Sequence, residues 1–518
     1  MAAVDTSSGV SIILVTITTR VDVYRVASEP CSIAWADGDG PLQFHPGLMS
    51  MGGIQAEADL FDLTHQAAVE STRLRVVLPN AVNATQAHAL YYGIAAASVD
   101  IASIWPGQDF AARVPLLEGA RVVGLSLGRA NEETELYVET RGPPAAASAV
   151  DASRDLGVTY PKGVGPYPDL LGKQFPVVIG HCLRVPMFRV GVSQTGGRHS
   201  GILAGHHLAP NVAVGDLTFY AAGAAAPLTT PTLNNGTDPS GNPVSWVETD
   251  ITQLLSSTEP YTVSFTTGGV ASVRDSSTAV RDLGGALEWL LVNSGAKVDL
   301  LAQQRCTDLL AGWKGGVYCD RYDDLLTVIR QRVAPFLPII ERTSSRGLYY
   351  QYADPRLAPL EFALTLGQEL IAPVGPVDLT DLDAIRNSFF LEYAYNHDDG
   401  TYGASVSLGP TSLECCRYSA QEFGVRVDSA MRCTITASDA TARRMLQARA
   451  ERLSLPRRLV SYIVDPSMTW LREGMVGTIT DTDRGITAQR AVLRRWRPAG
   501  LPWQARFEVV DRAPVSRI

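Results

Sequence analysis

Charge is scarce in this chain. Only 19% of its 518 residues are Asp, Glu, Lys or Arg, while 46% are hydrophobic. That balance excludes a disordered chain, because enough apolar surface is present to offset the entropy of ordering. Positive charge is the scarcer sign, with 44 Lys and Arg against 53 Asp and Glu and a net charge of −9. A broad grip on nucleic acid is therefore not expected. Cysteine is also rare, at seven residues: Cys31, Cys182, Cys306, Cys319, Cys415, Cys416 and Cys433. The number is odd and no C-x-x-C pair occurs, so zinc ribbons and dithiol redox motifs drop out, and reduced, mostly buried thilos of a protein assembled in cytoplasm are expected. Long apolar runs are missing too. The stretch from Val10 to Ile17 is interrupted, has Asp5 upstream and no basic residues before it, and leads into the alternating Arg20 to Val26. It reads as a strand, too short for a membrane span and unlike a cleaved signal.

What is present predicts a mainly β, multidomain protein with α+β inserts. A chain of this length should divide into several cores. Residues 1–145 are strand-rich, with period-2 runs at Arg73–Leu78 and Arg121–Leu127 and one short helix from an Asn83 N-cap to about Gly93. The Arg141–Ala147 stretch is a linker candidate. Residues 146–280 read as short strands, such as Val177–Gly180 and Asp216–Tyr220, with a long loop or arm from Ala221 to Ser245. Residues 281–372 change to helical spacing at Leu283, Leu287, Leu290 and Leu291, a second helix from Asp323 closed by Pro335 and Pro338, and a strand near Leu348–Tyr350. Residues 373–518 hold a strand at Phe389–Tyr395, a basic helix from Ala440 to Leu453 with Asp439 as N-cap, a strand at Leu459–Val464, and a hairpin of Met475–Thr480 with Ile486–Arg497.

The first and last regions share an order of strand, helix, strand and hairpin. Leu116-Leu117-Glu118-Gly119 is echoed by Leu471-Arg472-Glu473-Gly474. A β-α-β-β unit used twice, between Arg73 and Arg141 and again between Ser388 and Arg497, would give a threefold assembly six similar units.

Several stretches make a family resemblance specific. They are Glu392-Tyr393-Ala394-Tyr395-Asn396, the alanine- and arginine-rich helix, Pro456–Tyr462, Trp470–Gly474 before the hairpin with Thr480-Asp481, the G-K-x-x-P-x-x-x-G segment from Gly172 to Gly180, and Ala286–Leu291 to Val298-Asp299. With these, the chain resembles the baseplate hub and tail tip hub proteins of tailed bacteriophages over most of residues 170 to 510. The resemblance implies two similar β-barrel-like tube domains flanking smaller ones, in a homotrimeric ring at the virion tail tip, assembled in the host cytoplasm. It implies a tail tube or distal tail protein above, a central spike or fibre protein below and a tape measure protein as a further partner. DNA would pass through the enclosed channel without sequence-specific binding.

The residues that could carry chemistry read otherwise. His181, Cys182, His199, His206 and His207 lie within 27 residues, but none has the tight spacing of a zinc finger, so they read as loop and strand-end residues before they read as a metal site. No G-x-S-x-G elbow occurs, and Cys415-Cys416 has no histidine nearby. The carboxylate pairs Glu132-Glu133, Asp323-Asp324, Asp398-Asp399 and Asp381 to Asp383 stand in turn-like or helix-starting contexts rather than as an acid–base pair. No Walker lysine follows a glycine-rich turn. Arg443, Arg444, Arg449, Arg452, Arg457 and Arg458 read as an exposed face pairing with acidic neighbours, with phosphate binding as the alternative. No catalytic, cofactor or metal residue is assigned. A carbohydrate hydrolase of the virion and a fibre-adaptor protein are the competing readings.

Overall fold

The computed structural model describes residues 12–510 apart from 20–22, 35–40, 52–70, 78–96, 128–133, 140–153, 160–172, 193–197, 251–260, 498–502 and positions 222–223, 226–227, 229–230, 267, 322, 345, 355, 398, 436–437, 466, 469 and 472–473. The helix expected at Asn83–Gly93, the Arg141–Ala147 linker and Glu132-Glu133 lie outside the described residues.

Strands dominate because β-branched and aromatic residues alternate with polar ones in most segments. The first sheet contains β1 (Ile12–Thr18), β2 (Val23–Ala27), β3 (Leu48–Met51), β4 (Ser71–Val76), β5 (Ser98–Ile104), β6 (Val114–Leu127) and β7 (Thr134–Glu139). Their order is β2-β1-β5-β6-β7-β4-β3. The two outer strands are joined through the chain leading into β3: Val26 of β2 bridges His45, whose amide donates to the Arg25 carbonyl at 3.1 Å and whose carbonyl accepts from the Ala27 N–H at 2.8 Å. The sheet therefore closes into a barrel around buried Val15, Ile17, Leu74, Val99, Ile101 and Leu136, and closure leaves less exposed edge.

Short β8 (Val177–Gly180) stands apart from the second sheet, which contains β9 (Val185–Val192), β10 (Arg198–Ala204), β11 (Leu217–Ala221), β12 (Thr232–Thr237), β13 (Pro243–Asp250) and β14 (Tyr261–Phe265). The stretch expected to be a loop or arm, Ala221 to Ser245, is instead largely a hairpin of β12 with β13, in register from Thr232↔Glu248 to Thr237↔Pro243. Asp238 builds its turn, accepting from the Ser240 and Asn242 amides at 2.9 Å and from Arg154 at 3.1 Å. Period-2 alternation is absent from Thr-Leu-Asn-Asn-Gly-Thr because β12 is a largely exposed edge strand that packs only Leu233 against the core.

The third region is helical where expected. Helix α1 (Leu283–Asn293) has Asp282 accepting from the Gly285 amide, and it buries Leu283, Leu287, Leu290 and Leu291. Next come α2 (Leu300–Leu309), strand β15 (Gly316–Cys319), which pairs with β8, and α3 (Leu325–Val328). A π-turn at Ile329–Val333 continues α3, and Pro335 and Pro338 end it. The β16 (Ile339–Ser344) and β17 (Gly347–Tyr352) hairpin is tied back by exposed Arg330 acting on buried Glu341 and Tyr350. Arg330 donates twice to Glu341, at 2.8 and 2.6 Å, and the Tyr350 hydroxyl donates to the same carboxylate at 2.8 Å.

The last sheet takes strands from both ends of its region: β18 (Phe362–Thr365), β19 (Leu370–Leu379), then β22 (Arg458–Val464), β23 (Val476–Asp481), β24 (Ile486–Arg497) and β25 (Gln504–Val509). Between them lie β20 (Phe389–Tyr395), β21 (Tyr402–Leu408), α4 (Glu414–Phe423) and α5 (Asp439–Leu453). These pack into the core of α1, not into the barrel. The division expected at 372/373 therefore falls within β19. Ser438, not Asp439, caps α5, accepting from the Thr441 amide; Asp439 is the first helical residue and pairs with Arg443.

The order of this sheet is β18-β23-β24-β25-β22-β19. Its edge strands β18 and β19 are consecutive in sequence. Laid flat, five interstrand gaps would span roughly 24 Å, more than the ~18 Å reach of the chain from Thr365 to Leu370. Gly367 donates to the Leu370 carbonyl at 2.8 Å, so this sheet also closes. Its interior holds Phe362, Tyr462, Leu493, Trp496, Trp503 and Phe507, with Tyr462 donating to buried Asp481 at 2.8 Å.

The two barrels have the same strand order. Number the six common strands by sequence, and both sheets read first, fourth, fifth, sixth, third, second. Every neighbouring pair is antiparallel in both barrels except the first with the fourth, which is antiparallel for β1 with β5 and parallel for β18 with β23. The similarity differs from the expected β-α-β-β unit. The strand at Arg73 corresponds to β22, not to Phe389–Tyr395, which joins another sheet. The Leu-x-Glu-Gly echo marks unequal places: Gly119 lies within β6, whereas Gly474 precedes β23, the counterpart of β5.

Ala488, exposed beside the irregularity of β24, has φ +46°. A Cβ is disfavoured in that conformation, and Ala488→Gly is expected to raise stability by about 0.5–1 kcal/mol. Urea denaturation checks this, and a lowered midpoint would contradict it.

Candidate functional site beside the second barrel

Three of the four arginines of the basic helix, Arg443, Arg449 and Arg452, have acidic partners, and Arg449 and Arg452 are largely buried instead of lying on the expected exposed face. Arg443 pairs with Asp439 at 2.7 Å and Arg449 with Asp428 at 2.5 Å. Arg458 donates to Gln489 at 2.5 Å, and Arg457 donates to the Glu451 carbonyl. Arg452 reaches across to the barrel, where its Nη1 lies 2.6 Å from the Oε1 of Glu508 on β25. The Nε of Arg494, on β24, lies 3.7 Å from the other oxygen of Glu508. Glu508 is 2% exposed. Burial alone would raise its carboxyl pKa, but Arg452, Arg494 and Arg457 together hold it below the ordinary value. This cluster joins the helical insert to the barrel it interrupts.

Above the cluster is a cleft of about 290 Å³. Its polar lining is Arg452, Arg494, Arg495, Arg506, Glu508, Asp381 and Thr380, and its apolar lining includes Leu379, Leu453, Leu455 and Leu459. Strands β22, β24 and β25 form one wall, and the chain leaving β19 and that leaving α5 form the other. Position makes it notable, since clefts where two packed units meet are common binding sites.

The histidine group is not assembled into a ligand set. His206 is fully engaged: Nε2 accepts from the Val178 amide at 3.2 Å and Nδ1 donates to the His207 carbonyl at 2.9 Å. Burial lowers its pKa to about 4. His207 donates from Nε2 to the Gly236 carbonyl at 2.7 Å, which covers part of the β12 edge. Cys182 is buried and donates weakly to the Ile179 carbonyl, and burial pushes its thiol up to about 12. His181 is held neutral by burial and by Lys314, and the backbone of His199 pairs within β10 and β13. Among the described residues no group of three or more His, Cys, Asp or Glu is placed to hold a metal.

The other candidates are also used internally. Cys415 and Cys416 lie buried on α4, and Cys416 contacts the Ser454 hydroxyl at 3.3 Å. Asp324 caps α3, Asp381 caps a short 3-10 turn and Asp399 accepts from Thr401; Asp398 lies outside the described residues. Gly180, the last glycine of G-K-x-x-P-x-x-x-G, has φ +76° and would bring a Cβ within 2.6 Å of the Gly315 carbonyl, so its role is close strand approach.

No protein-family model matches the chain, and no curated protein matches it. Among solved structures it is similar to a chain from the "Virion of native gene transfer agent (GTA) particle", with a TM-score of 0.42 and 12% identity, covering 72% of this chain and 89% of that one.

Glu508 and the cleft were not anticipated from sequence. The available signal is Glu508 itself, a lone carboxylate among the apolar residues Phe507, Val509 and Val510. Only the tertiary pairing shows that its face of β25, opposite to that of Phe507 and Val509, is covered by α5. No helix among the described residues is long and apolar enough to cross a membrane.

Proposed function

We propose that this protein is a structural component of a phage-like virion, and specifically the trimeric hub of a tail tip or baseplate. The observation that carries the reading is the common strand order of the two closed sheets in one chain. Three such subunits supply six similar barrels, which lets a threefold ring meet a sixfold tube. The tail tube or distal tail protein would sit above, a spike or fibre below, and a tape measure protein within the channel that DNA crosses. Function would lie in permanent interfaces rather than catalysis. The internal pairing of the arginine, carboxylate and histidine candidates supports this over a carbohydrate hydrolase.

Native mass measurement and electron microscopy of the purified chain test it. The expected particle is a trimer with six similar densities around its axis. A chain that remains monomeric at high concentration, or a ring without threefold symmetry, removes the hub reading. Cleavage of peptidoglycan that is lost on replacing Asp381 and Asp383 would favour the hydrolase.

A further inference from the structure

We propose that the cleft beside the second barrel is an anchor site for a partner polypeptide that presents a carboxylate next to an aliphatic side chain. The first support is charge. Arg452, Arg494, Arg495 and Arg506 line the cleft, and Arg457 acts on the same Glu508. The lining itself carries four guanidinium groups against two carboxylates, Glu508 and Asp381, while Asp378, which is not in the lining, pairs with Arg506 at 3.0 Å. A partly enclosed site with surplus positive charge favours an anionic group, and a carboxylate accepts charge-assisted hydrogen bonds from guanidinium. Arg506, whose side chain is 38% exposed, lines the cleft while paired with Asp378.

The second support is shape. Leu379, Leu453, Leu455 and Leu459 line the same cleft as the arginines, on both of its walls, which suits a ligand that presents an aliphatic group beside an acidic one. A volume of about 290 Å³ lies at the lower end for whole small-molecule ligands and suits one or two inserted side chains. The apolar surface continues outside: Leu379 is 54% exposed and Leu382 is 44% exposed. Arg426 donates to the Leu382 carbonyl and is flanked by exposed Val425 and Val427. A cleft with an apolar rim is how a protein partner is held, with an anchor in the pocket and neutral contacts around it. The charge complement selects an acidic segment. This inference needs only a protein partner, so it stands or falls apart from the trimer reading.

The test uses the full chain and an acetylated, amidated hexapeptide alternating leucine and glutamate, with a leucine–glutamine twin as control. Binding is read by calorimetry and by ligand-observed NMR. The glutamate peptide is expected to bind and to weaken as salt is raised, and the glutamine twin to bind at least roughly tenfold more weakly. Arg506→Gln and Leu379→Glu change partly exposed side chains, so both variants should melt as the parent does. Each should reduce binding of the glutamate peptide by roughly tenfold or more. The proposal is overturned by equal binding of the two peptides, by parental affinity in both variants, or by no binding at about 10 mM, beyond which contacts of this kind have no useful affinity.

Discussion

Glu508→Gln is expected to lower the unfolding free energy by about 3–5 kcal/mol. The carboxylate is 2% exposed, with Arg452 at 2.6 Å on one oxygen and Arg494 at 3.7 Å on the other. Both arginines are themselves largely buried. The amide keeps the shape but removes the charge, leaving guanidinium groups in a low-dielectric site with a neutral acceptor. The loss should also be local in consequence, because Arg452 lies on α5 and Glu508 on β25. The pair holds the helical insert against the barrel, and proteolysis of the insert should accelerate before the barrel unfolds. Denaturant unfolding with limited proteolysis reads both effects. Removing both charges in Glu508→Leu with Arg452→Met should recover most of the stability, since replacing a buried pair by apolar residues is often close to neutral. A cost below about 1 kcal/mol for Glu508→Gln alone would mean that solvent already screens the cluster.

The parts of this fold legible in the sequence are those in which neighbours along the chain decide the conformation. Leu283, Leu287, Leu290 and Leu291 recur at helical spacing and line one buried face of α1. The hairpin of β23 and β24 is announced by Asp481-Thr482-Asp483-Arg484-Gly485, where Asp481 accepts from the Arg484 amide and Gly485 adopts the left-handed conformation. Barrel closure was not legible as topology. Strand β18 is four residues long and pairs in parallel with β23, Phe362 facing Gly477, and nothing local marks a contact over 115 positions. Similarity between the barrels was visible only as a succession of elements, and it was aligned one strand out of place. The equivalence lies in which strands neighbour one another, which hydrophobic periodicity does not encode. For the site, the arginines of α5 were evident, and their pairing with acidic neighbours was the expected reading. The partner of Arg452, 56 positions later on a strand of the second barrel, could come only from the tertiary structure.

Lowering the pH from about 7 to about 5 is expected to destabilise the protein by about 2 kcal/mol for each of two histidines. His206 and His397 are both buried in the neutral form. Burial lowers His206 to about 4, and burial with the nearby Arg332 lowers His397 to about 3. His397 lies between the rings of Tyr318 and Tyr395, with centroids 4.8 and 4.9 Å away, where a positive charge beside Arg332 has no carboxylate to compensate it among these contacts. In the unfolded chain both rings titrate near 6.5. Between that value and the folded one the unfolded state binds more protons, so stability falls as pH drops through 6.5 and continues to fall until the folded value is reached. Glu508 adds to the loss only further down: its depressed pKa stabilises the fold above the ordinary carboxyl range, and that contribution disappears as pH falls through its folded value. The two causes therefore separate by pH. His206→Gln with His397→Phe should reduce the dependence between about pH 7 and pH 5, leaving the smaller part due to His181, whose pKa is also lowered by burial and Lys314, and the acid limb that belongs to the carboxylates. An unchanged slope in that double variant would show that other groups bind the protons.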